Sequence, residues 1–328
     1  MTELGWPAFD AESVAPWRAI TGNDLDGQPT GITAEMLPRI RAFTMSDREA
    51  LLAGRQFGGD DVEIATPDGK MTLSVFLPRE RREGAPAIFW IHGGGMIVGD
   101  RFGAGDALDL AEASGAVVVS PEYRLAPEHP SPAALDDCLA GFRWFSDHVE
   151  ELGADPRRLF LAGGSAGGGL AAACALRIRD EGGPALSGLI LLSPMLDDRM
   201  AGVSAQQFTF GVPWTRSSNV FGWRCLLGER AGTQDVSIYE APGRAGDLTG
   251  LPPSFIDVGS ADLFRDESVA FASAIWGSGG NAELHVWPGG YHGFEQMAPA
   301  SALAVAAVAA RKSWLSRILA AQKEQGAD

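Results

Sequence analysis

The sequence predicts an α/β fold, a mostly parallel eight-stranded sheet with helices on both faces. Three observations predict it. The chain has 328 residues, 45% of them apolar, it contains apolar runs of strand length, and helix-length segments separate most of these runs. Strands buried on both faces of a parallel sheet have such runs, and the intervening helices cover the sheet. The predicted strands are residues 62–66 and 71–77, which flank a turn and form a hairpin, then 87–91, 116–120, 159–162, 188–192, 254–258 and 283–287.

Two stretches interrupt this alternation. Residues 1–55 and 196–249 contain scattered aromatic side chains but no strand pattern. One interpretation is that both are long surface loops with apolar anchors. An aromatic-rich insertion after a central strand also suits a lid over the carboxyl edge of the sheet, where open α/β sheets bind ligands. We therefore predict a helical cap formed by these two stretches, and a main α/β domain formed by residues 56–195 and 250–328.

Charge and cysteine content exclude several classes of partner. The formal net charge is -16 at pH 7 and there is no basic run, which argues against nucleic acid and anionic membranes. Cys138, Cys174 and Cys225 form neither a disulfide framework nor a metal-binding pair. The N-terminus lacks the basic and apolar blocks of a signal peptide, and no apolar run reaches membrane-spanning length. We expect a soluble, cytoplasmic protein with no stable membrane association.

Residues 163–167 read Gly-Gly-Ser-Ala-Gly, between a predicted strand and a predicted helix. Gly163 and Gly167, two residues either side of Ser165, allow a turn too sharp for larger side chains. A phosphate-binding loop would need Lys-Ser or Lys-Thr after its last glycine, and residues 168–170 are Gly-Gly-Leu. A simple tight turn is the other alternative. Ser165 is therefore the candidate nucleophile.

A serine nucleophile needs a base, and the chain has five histidines. His292 follows the last predicted strand on a loop at the carboxyl edge of the sheet, from which a base could reach Ser165. An exposed loop histidine is the alternative interpretation. His148 falls in a polar helical stretch, His285 within a strand pattern, and His129 in a proline-flanked loop. These positions favour His292 as the base.

The base in turn needs an orienting acid. Asp262 falls on the first turn after the strand at residues 254–258, where its carboxylate can meet the His292 loop. Asp266 and Glu267 lie a turn further on and are more simply explained as helix-start residues. The chain order of nucleophile, acid and base is the order expected of an α/β-hydrolase.

The sequence His92-Gly93-Gly94-Gly95 follows the predicted strand at residues 87–91. Glycines leave backbone N–H groups free to donate to a developing oxyanion. The N–H of Ala166, directly after the candidate nucleophile, would complete the donor set. A structural glycine turn is the alternative interpretation of this loop.

Four segments together resemble the bacterial hormone-sensitive-lipase-like esterases, the family IV carboxylesterases. They are residues 92–95, 123–130, 163–168 and 262–267, and the resemblance covers about residues 85–295. It implies an α/β-hydrolase core with a cap built from the N-terminal region and an insertion. It also implies that the catalytic triad is Ser165, Asp262 and His292, that the oxyanion donors are Gly94, Gly95 and Ala166, and that His92 and Gly93 support their loop.

The chain departs from the family pattern at its pocket wall. Many members carry Asp or Thr where this chain has Gly164, an aromatic residue where it has Met96, and Phe where it has Ser131. These departures leave the triad intact but leave the acyl preference open. The predicted pocket residues are Met96, Gly164 and three aromatic residues of the insertion, Phe208, Phe210 and Trp214.

We therefore predict a serine carboxylesterase that acts on a small-molecule ester with a short to medium acyl chain and needs no cofactor or metal. A lactone, carbamate or acetylated small molecule is an alternative substrate for the same machinery. A non-catalytic ligand receptor on this fold is a third interpretation, which predicts loss of a triad residue, yet all three are present. The family resemblance also favours a homodimer.

Overall fold

The computed structural model describes residues 5–21 and 31–325, so the parts of the predicted cap and main domain at 1–4, 22–30 and 326–328 lie outside the described residues. The described strands are β1 (Phe57–Gly58), β2 (Asp61–Thr66), β3 (Gly69–Pro78), β4 (Ala87–Ile91), β5 (Val117–Pro121), β6 (Leu159–Gly164), β7 (Gly188–Leu192), β8 (Ser254–Gly259) and β9 (Ala282–Trp287). The described α-helices are α1 (Ala11–Thr21), α2 (Leu37–Thr44), α3 (Arg48–Leu52), α4 (Gly105–Ser114), α5 (Ala133–His148), α6 (Ala166–Asp180), α7 (Val203–Gln207), α8 (Arg216–Leu227), α9 (Arg265–Gly277), α10 (Phe294–Met297) and α11 (Ala302–Gln325).

All nine described strands form one sheet, in the order β1-β3-β5-β4-β6-β7-β8-β9, with β2 also paired to β3. The sequence predicts eight. The extra strand is β1, a two-residue segment that continues the register of β2 along β3, so the nine strands occupy eight positions. Strands β5, β4, β6, β7, β8 and β9 pair in parallel with one another in that order. Strand β3 pairs antiparallel with both β2 and β5. The predicted hairpin of β2 and β3 is confirmed.

Helices cover both faces of this sheet, as the apolar runs predict. In β4, Phe89 and Ile91 belong to a buried cluster that includes α5 and α6. Ile88 and Trp90 belong to a second cluster that includes α4 and α11. Alternate side chains of one strand thus enter two different cores, which is why the strand sequence is apolar throughout. The loops after β4, β6, β8 and β9 consequently meet at the carboxyl edge of the sheet.

The N-terminal segment and the insertion after β7 contact each other. The Trp6 ring lies 4.8 Å from the ring of Phe210. The Trp17 Nε1–H donates to the carbonyl of Gly211 over 3.3 Å. Helix α2 is anchored to the main domain by Arg41, whose guanidinium donates to the carbonyls of Ile97 and Ala126. Among the described residues, no helix is both long and apolar enough to cross a membrane.

Candidate active site

Ser165 lies on the turn between β6 and α6, with φ 54° and ψ -122°. This left-handed conformation is strained for a residue with a side chain, and such strain is common at functional sites. A Cβ atom on Gly163 would lie 2.2 Å from the carbonyl oxygen of Gly167. One on Gly167 would lie 2.0 Å from that of Ile91. Both glycines are therefore required by close backbone approach, as the motif predicts.

Ser165, His292 and Asp262 form a hydrogen-bonded chain. The Nε2 atom of His292 lies 3.0 Å from the Oγ of Ser165. Its Nδ1 atom lies 2.9 Å from Oδ2 of Asp262. Both distances fall within ordinary hydrogen-bond range. The base is 127 positions from the nucleophile and 30 from the acid along the chain, and the fold brings all three together in the order that base catalysis requires.

The Asp262 carboxylate is buried and fixed from two directions. It follows β8 on a turn in which the Asp262 N–H donates to the carbonyl of Gly259 over 3.2 Å. Its Oδ1 atom accepts from the backbone N–H of Phe264 at 2.9 Å. The other oxygen is then left to face His292. A buried carboxylate with both oxygens bonded orients the imidazole and stabilises its charged form.

His292 lies on the loop between β9 and α10, and contacts from distant parts of the chain hold that loop. The hydroxyl of Tyr291 donates to the carbonyl of Ser13 in α1 over 2.9 Å. The ring of Phe264 meets the imidazole edge to face, with 5.1 Å between ring centroids. Burial lowers the pKa of His292, but the charge and hydrogen bond of Asp262 raise it. The net pKa is above the ordinary value of 6.5.

The glycine loop after β4 lies beside the candidate nucleophile. A Cβ atom on Gly93 would lie 3.2 Å from the Cβ of Ser165. Gly94 and Gly95 have φ values of 114° and 62°, which favour glycine. Ala166 is the first residue of α6, so its N–H has no partner in the preceding turn of the helix. These are the structural conditions for an oxyanion-binding loop.

His92 supports this loop from beneath. Its ring is buried and stacks on Tyr123, with 4.1 Å between centroids and 15° between planes. The Tyr123 hydroxyl donates to the carbonyl of His92 over 2.9 Å, and the His92 Nδ1 lies 2.8 Å from the carbonyl of Gly93. Burial lowers the pKa of His92 and favours the neutral ring. This geometry agrees with the supporting position that the family resemblance implies.

A cavity of about 950 Å³ opens over Ser165 and His292. Of the five predicted pocket residues, Gly164 and Trp214 line it. The other three do not line this cavity. Met96 is buried beneath the glycine loop, where its carbonyl accepts from Ala126 N–H, and Phe208 and Phe210 pack against Trp6.

Sequence reasoning missed several residues of the site. Trp90 lines the cavity beside Gly164, where a Cβ atom would lie 3.6 Å from the indole ring.

Two charged residues connect elements around the site. Glu267 is not merely a helix-start residue, because its Oε1 accepts from the N–H of Leu196 at 2.6 Å and connects α9 to the segment after β7. Arg311 of α11 is buried against Asp257 of β8. The signal for that pair was a charged residue inside an otherwise apolar strand, since a buried charge needs a partner.

Comparison with known proteins gives a consistent result. A family model described as alpha/beta hydrolase fold matches residues 88–296. The chain is 34% identical over 249 residues to Esterase LipI of Mycobacterium tuberculosis, covering 74% of this chain and 77% of that protein. It is 36% identical over 233 residues to Carboxylesterase NlhH of the same species, covering 69% and 72%.

The chain belongs to the hormone-sensitive-lipase-like esterases. A solved structure, a bacterial heroin esterase, superposes with a TM-score of 0.83 at 32% identity and covers 96% of this chain and 99% of its own. The predicted fold and family are thereby confirmed. The matched residues 88–296 include every member of the Ser165–His292–Asp262 arrangement and the glycine loop.

Proposed function

We propose that this esterase hydrolyses carboxylic esters through a covalent acyl-enzyme, with Ser165 as nucleophile, His292 as base and Asp262 as its orienting acid. The hydrogen-bonded chain of 3.0 and 2.9 Å at the cavity supports the proposal. His292 Nε2 removes the hydroxyl proton as the Ser165 Oγ attacks the carbonyl carbon. The imidazolium that forms is stabilised by the buried Asp262 carboxylate.

Hydrogen bonds from backbone N–H groups then stabilise the negative charge on the former carbonyl oxygen. The N–H groups of Gly94, Gly95 and Ala166 are the proposed donors. The Gly93 backbone runs beside Ser165, since a Cβ atom on Gly93 would lie 3.2 Å from the Ser165 Cβ, and the loop is therefore within reach of a carbonyl bonded to that serine. Losing one such donor costs about 3 kcal/mol of transition-state stabilisation.

Collapse of this intermediate breaks the bond to the alcohol oxygen, which takes the proton from His292. A water molecule then gives a proton to His292 and attacks the acyl carbon, and the acid leaves as Ser165 recovers its proton. Each half-reaction uses the same base twice, first to accept and then to donate. The net change is ester plus water to acid plus alcohol.

The proposed substrates are esters with short to medium acyl chains. The cavity receives side chains from both stretches predicted to form the cap, Ile32 and Ile40 from the N-terminal one and Pro213 and Trp214 from the insertion. A Cβ atom on Gly95 would lie 2.2 Å from the Trp214 ring, so this indole covers the glycine loop closely. An apolar covering over the reacting carbonyl favours compact apolar substrates.

Hydrolysis of p-nitrophenyl esters from acetate to palmitate tests the proposal. We expect turnover to peak at short or medium chains, and Ser165→Ala to lower kcat by roughly 10⁶-fold. Ser273→Ala, at an exposed serine of α9 whose hydroxyl bonds Val269, is the matched control and should keep wild-type rates. Substantial activity in Ser165→Ala would refute the nucleophile assignment. Absence of turnover on every ester would refute ester hydrolysis and direct the same assay to lactones.

Two further parts of the proposal concern the whole molecule. We propose a homodimer on the basis of the family resemblance, and a cytoplasmic location on the basis of the sequence composition. Light scattering coupled to size-exclusion chromatography should give the mass of two chains, and a single-chain mass would refute the dimer. Cell fractionation tests the location.

A further inference from the structure

Arg311 of α11 is a buried cation that the proposed reaction does not use. Its side chain is 3% exposed and contacts three carboxylates. Nε lies 2.8 Å from Oδ2 of Asp257, Nη2 lies 2.9 Å from Oε1 of Glu295, and Nη1 lies 3.1 Å from Oδ1 of Asp106. Burying a charge this deeply is costly unless each donor is directed at an acceptor, as these are.

These carboxylates belong to segments that carry the proposed catalytic groups. Asp257 is on β8, five residues before Asp262. Glu295 is in α10, three residues after His292. Asp106 is in α4, the helix that follows the glycine loop. Arg311 thus connects the strand that leads to the acid with the segment that carries the base.

The cluster has more negative than positive charge. Three carboxylates face one guanidinium, and within the described residues Glu295 Oε2 and Asp257 Oδ1 are buried without a hydrogen-bond partner. Burial raises the pKa of Asp106 to about 6 and also raises that of Asp257, although the positive charge of Arg311 opposes both shifts. Glu295 also acts on the base, because its negative charge contributes to the raised pKa of His292.

We propose that Arg311 is a positioning residue for ester hydrolysis, which fixes the segments bearing Asp262 and His292 relative to each other and offsets the negative charge of Glu295, three residues after His292. This inference rests on the proposed function. The three bonds to separate segments support the positioning part. The placement of Glu295 between Arg311 and the His292 segment supports the electrostatic part.

Arg311→Met tests both parts, since it keeps much of the side-chain volume and removes the charge and the donors. We expect kcat to fall by roughly 10- to 100-fold, because small displacements of catalytic groups have effects of that size. In the pH profile of kcat/KM, the acid limb, where activity rises as the imidazole loses its proton, should move to higher pH. Losing the positive charge that offsets Glu295 leaves that carboxylate to favour the protonated imidazole, and only the neutral form can act as base.

The charged groups around His292 determine which control variants are informative. Asp262 bonds the imidazole, Glu295 follows it on α10, and Arg311 and Asp106 lie beyond Glu295 on α11 and α4. Arg317→Met is the matched control, because Arg317 is on the same helix but forms a surface ion pair with Glu283. It should keep the wild-type kcat and acid limb.

Glu295→Gln keeps the inference testable if Arg311→Met does not fold. Removing the carboxylate charge should move the acid limb to lower pH, and the double variant should return the limb toward the wild-type position. A lower kcat in Arg311→Met with an unmoved limb would reduce Arg311 to a structural residue and overturn the inference. So would a Glu295→Gln limb at the wild-type pH.

Titration of His292 by NMR in the same variants separates this inference from the proposed function, because it needs no substrate. The imidazole pKa should rise in Arg311→Met and fall in Glu295→Gln. If the wild-type protein lacked Ser165-dependent hydrolysis, the proposed function would fail and with it the positioning role in ester hydrolysis, whereas the imidazole titration would still test the electrostatic link between Arg311, Glu295 and His292. If hydrolysis were normal but neither variant moved the imidazole pKa, only the inference would fail.

Discussion

The Oγ of Ser165 and the Nε2 of His292 lie 3.0 Å apart, but different parts of the sequence hold the two residues in place. The Ser165 turn depends largely on its neighbours: β6 ends at Gly164, α6 begins at Ala166, and Gly163 and Gly167 admit backbone contacts that no side chain allows. The His292 loop is held instead by Tyr291 bonded to Ser13, 278 residues away, and by Asp262.

This difference predicts how each half of the site responds to substitution. The Ser165 turn cannot accommodate an added side chain, because its close contacts are between backbone atoms that cannot move separately. The restraint on the His292 loop is divided among contacts with α1, with the turn after β8 that carries Asp262 and Phe264, and with α10 and α11. One substitution should therefore disable the turn, whereas most single substitutions around the loop should only weaken it. The exception is the contact made directly to the imidazole.

Among substitutions that leave the nucleophile in place, the largest loss of activity is expected at that exception. Asp262→Asn should lower kcat by about 10⁴-fold, because an amide in place of the carboxylate favours the wrong imidazole tautomer and no longer stabilises the imidazolium. Steady-state kinetics on the preferred ester, with circular dichroism to establish folding, would measure it. Asp266→Asn is the control, since that carboxylate bonds Ser204 N–H and Arg265 rather than His292. A loss below about tenfold in Asp262→Asn would remove Asp262 from the proposed triad.

A smaller loss is expected from the Ser165 turn. In Gly167→Ala the new methyl group would lie 2.0 Å from the carbonyl oxygen of Ile91 and 2.4 Å from that of His92, so β4 and α6 must separate. Both the nucleophile and the glycine loop would shift, and we expect kcat/KM to fall at least about 100-fold. Gly277→Ala in α9 is the matched control, because no atom beyond its chain neighbours and its own helix backbone lies within 4 Å of the position that its Cβ would occupy. Wild-type activity in Gly167→Ala would show that the turn tolerates movement.

The same contrast explains what could be predicted from the sequence. The Ser165 turn and the glycine loop are short motifs whose glycines report backbone geometry directly. Asp262 and His292 follow predicted strands whose carboxyl ends must meet, so their proximity could be inferred from topology. Residues 5–21 and 31–325 contain nine strands rather than the predicted eight because β1 is too short to leave an apolar pattern.

The pocket wall and the Arg311 cluster could not be derived in this way. Whether Phe208 lines the cavity or packs on Trp6 depends on how two distant segments meet, and neither segment has a periodic pattern. Asp257 indicates that a cation must be buried against β8, but Arg311 lies in an alanine-rich helix and nothing in its neighbours identifies it as that cation. Such contacts depend on the packing of whole helices against the sheet, which single-residue patterns do not encode.

The smallest effect on activity is expected from the long-range hydrogen bond that Tyr291, on the His292 loop, donates to Ser13. Burial raises the pKa of Tyr291 to about 12, so its hydroxyl stays protonated and donates to Ser13 throughout the neutral range. Tyr291→Phe removes this one bond and keeps the ring against Phe9. We expect the free energy of unfolding in urea to fall by about 1 kcal/mol, the typical net value of a hydrogen bond. We expect kcat to change by less than about tenfold, because Asp262 and Phe264 still hold the imidazole.

Tyr239→Phe is the matched control for that measurement, since the Tyr239 hydroxyl bonds Asp180 at the surface and should contribute little to stability. A loss of kcat/KM in Tyr291→Phe as large as the loss of kcat/KM in Gly167→Ala would contradict the comparison. It would mean that the position of the base depends on a single distant contact, and that the loop is as intolerant as the turn. A loss of stability with kcat nearly unchanged would instead show that the remaining contacts suffice to hold His292 within reach of Ser165.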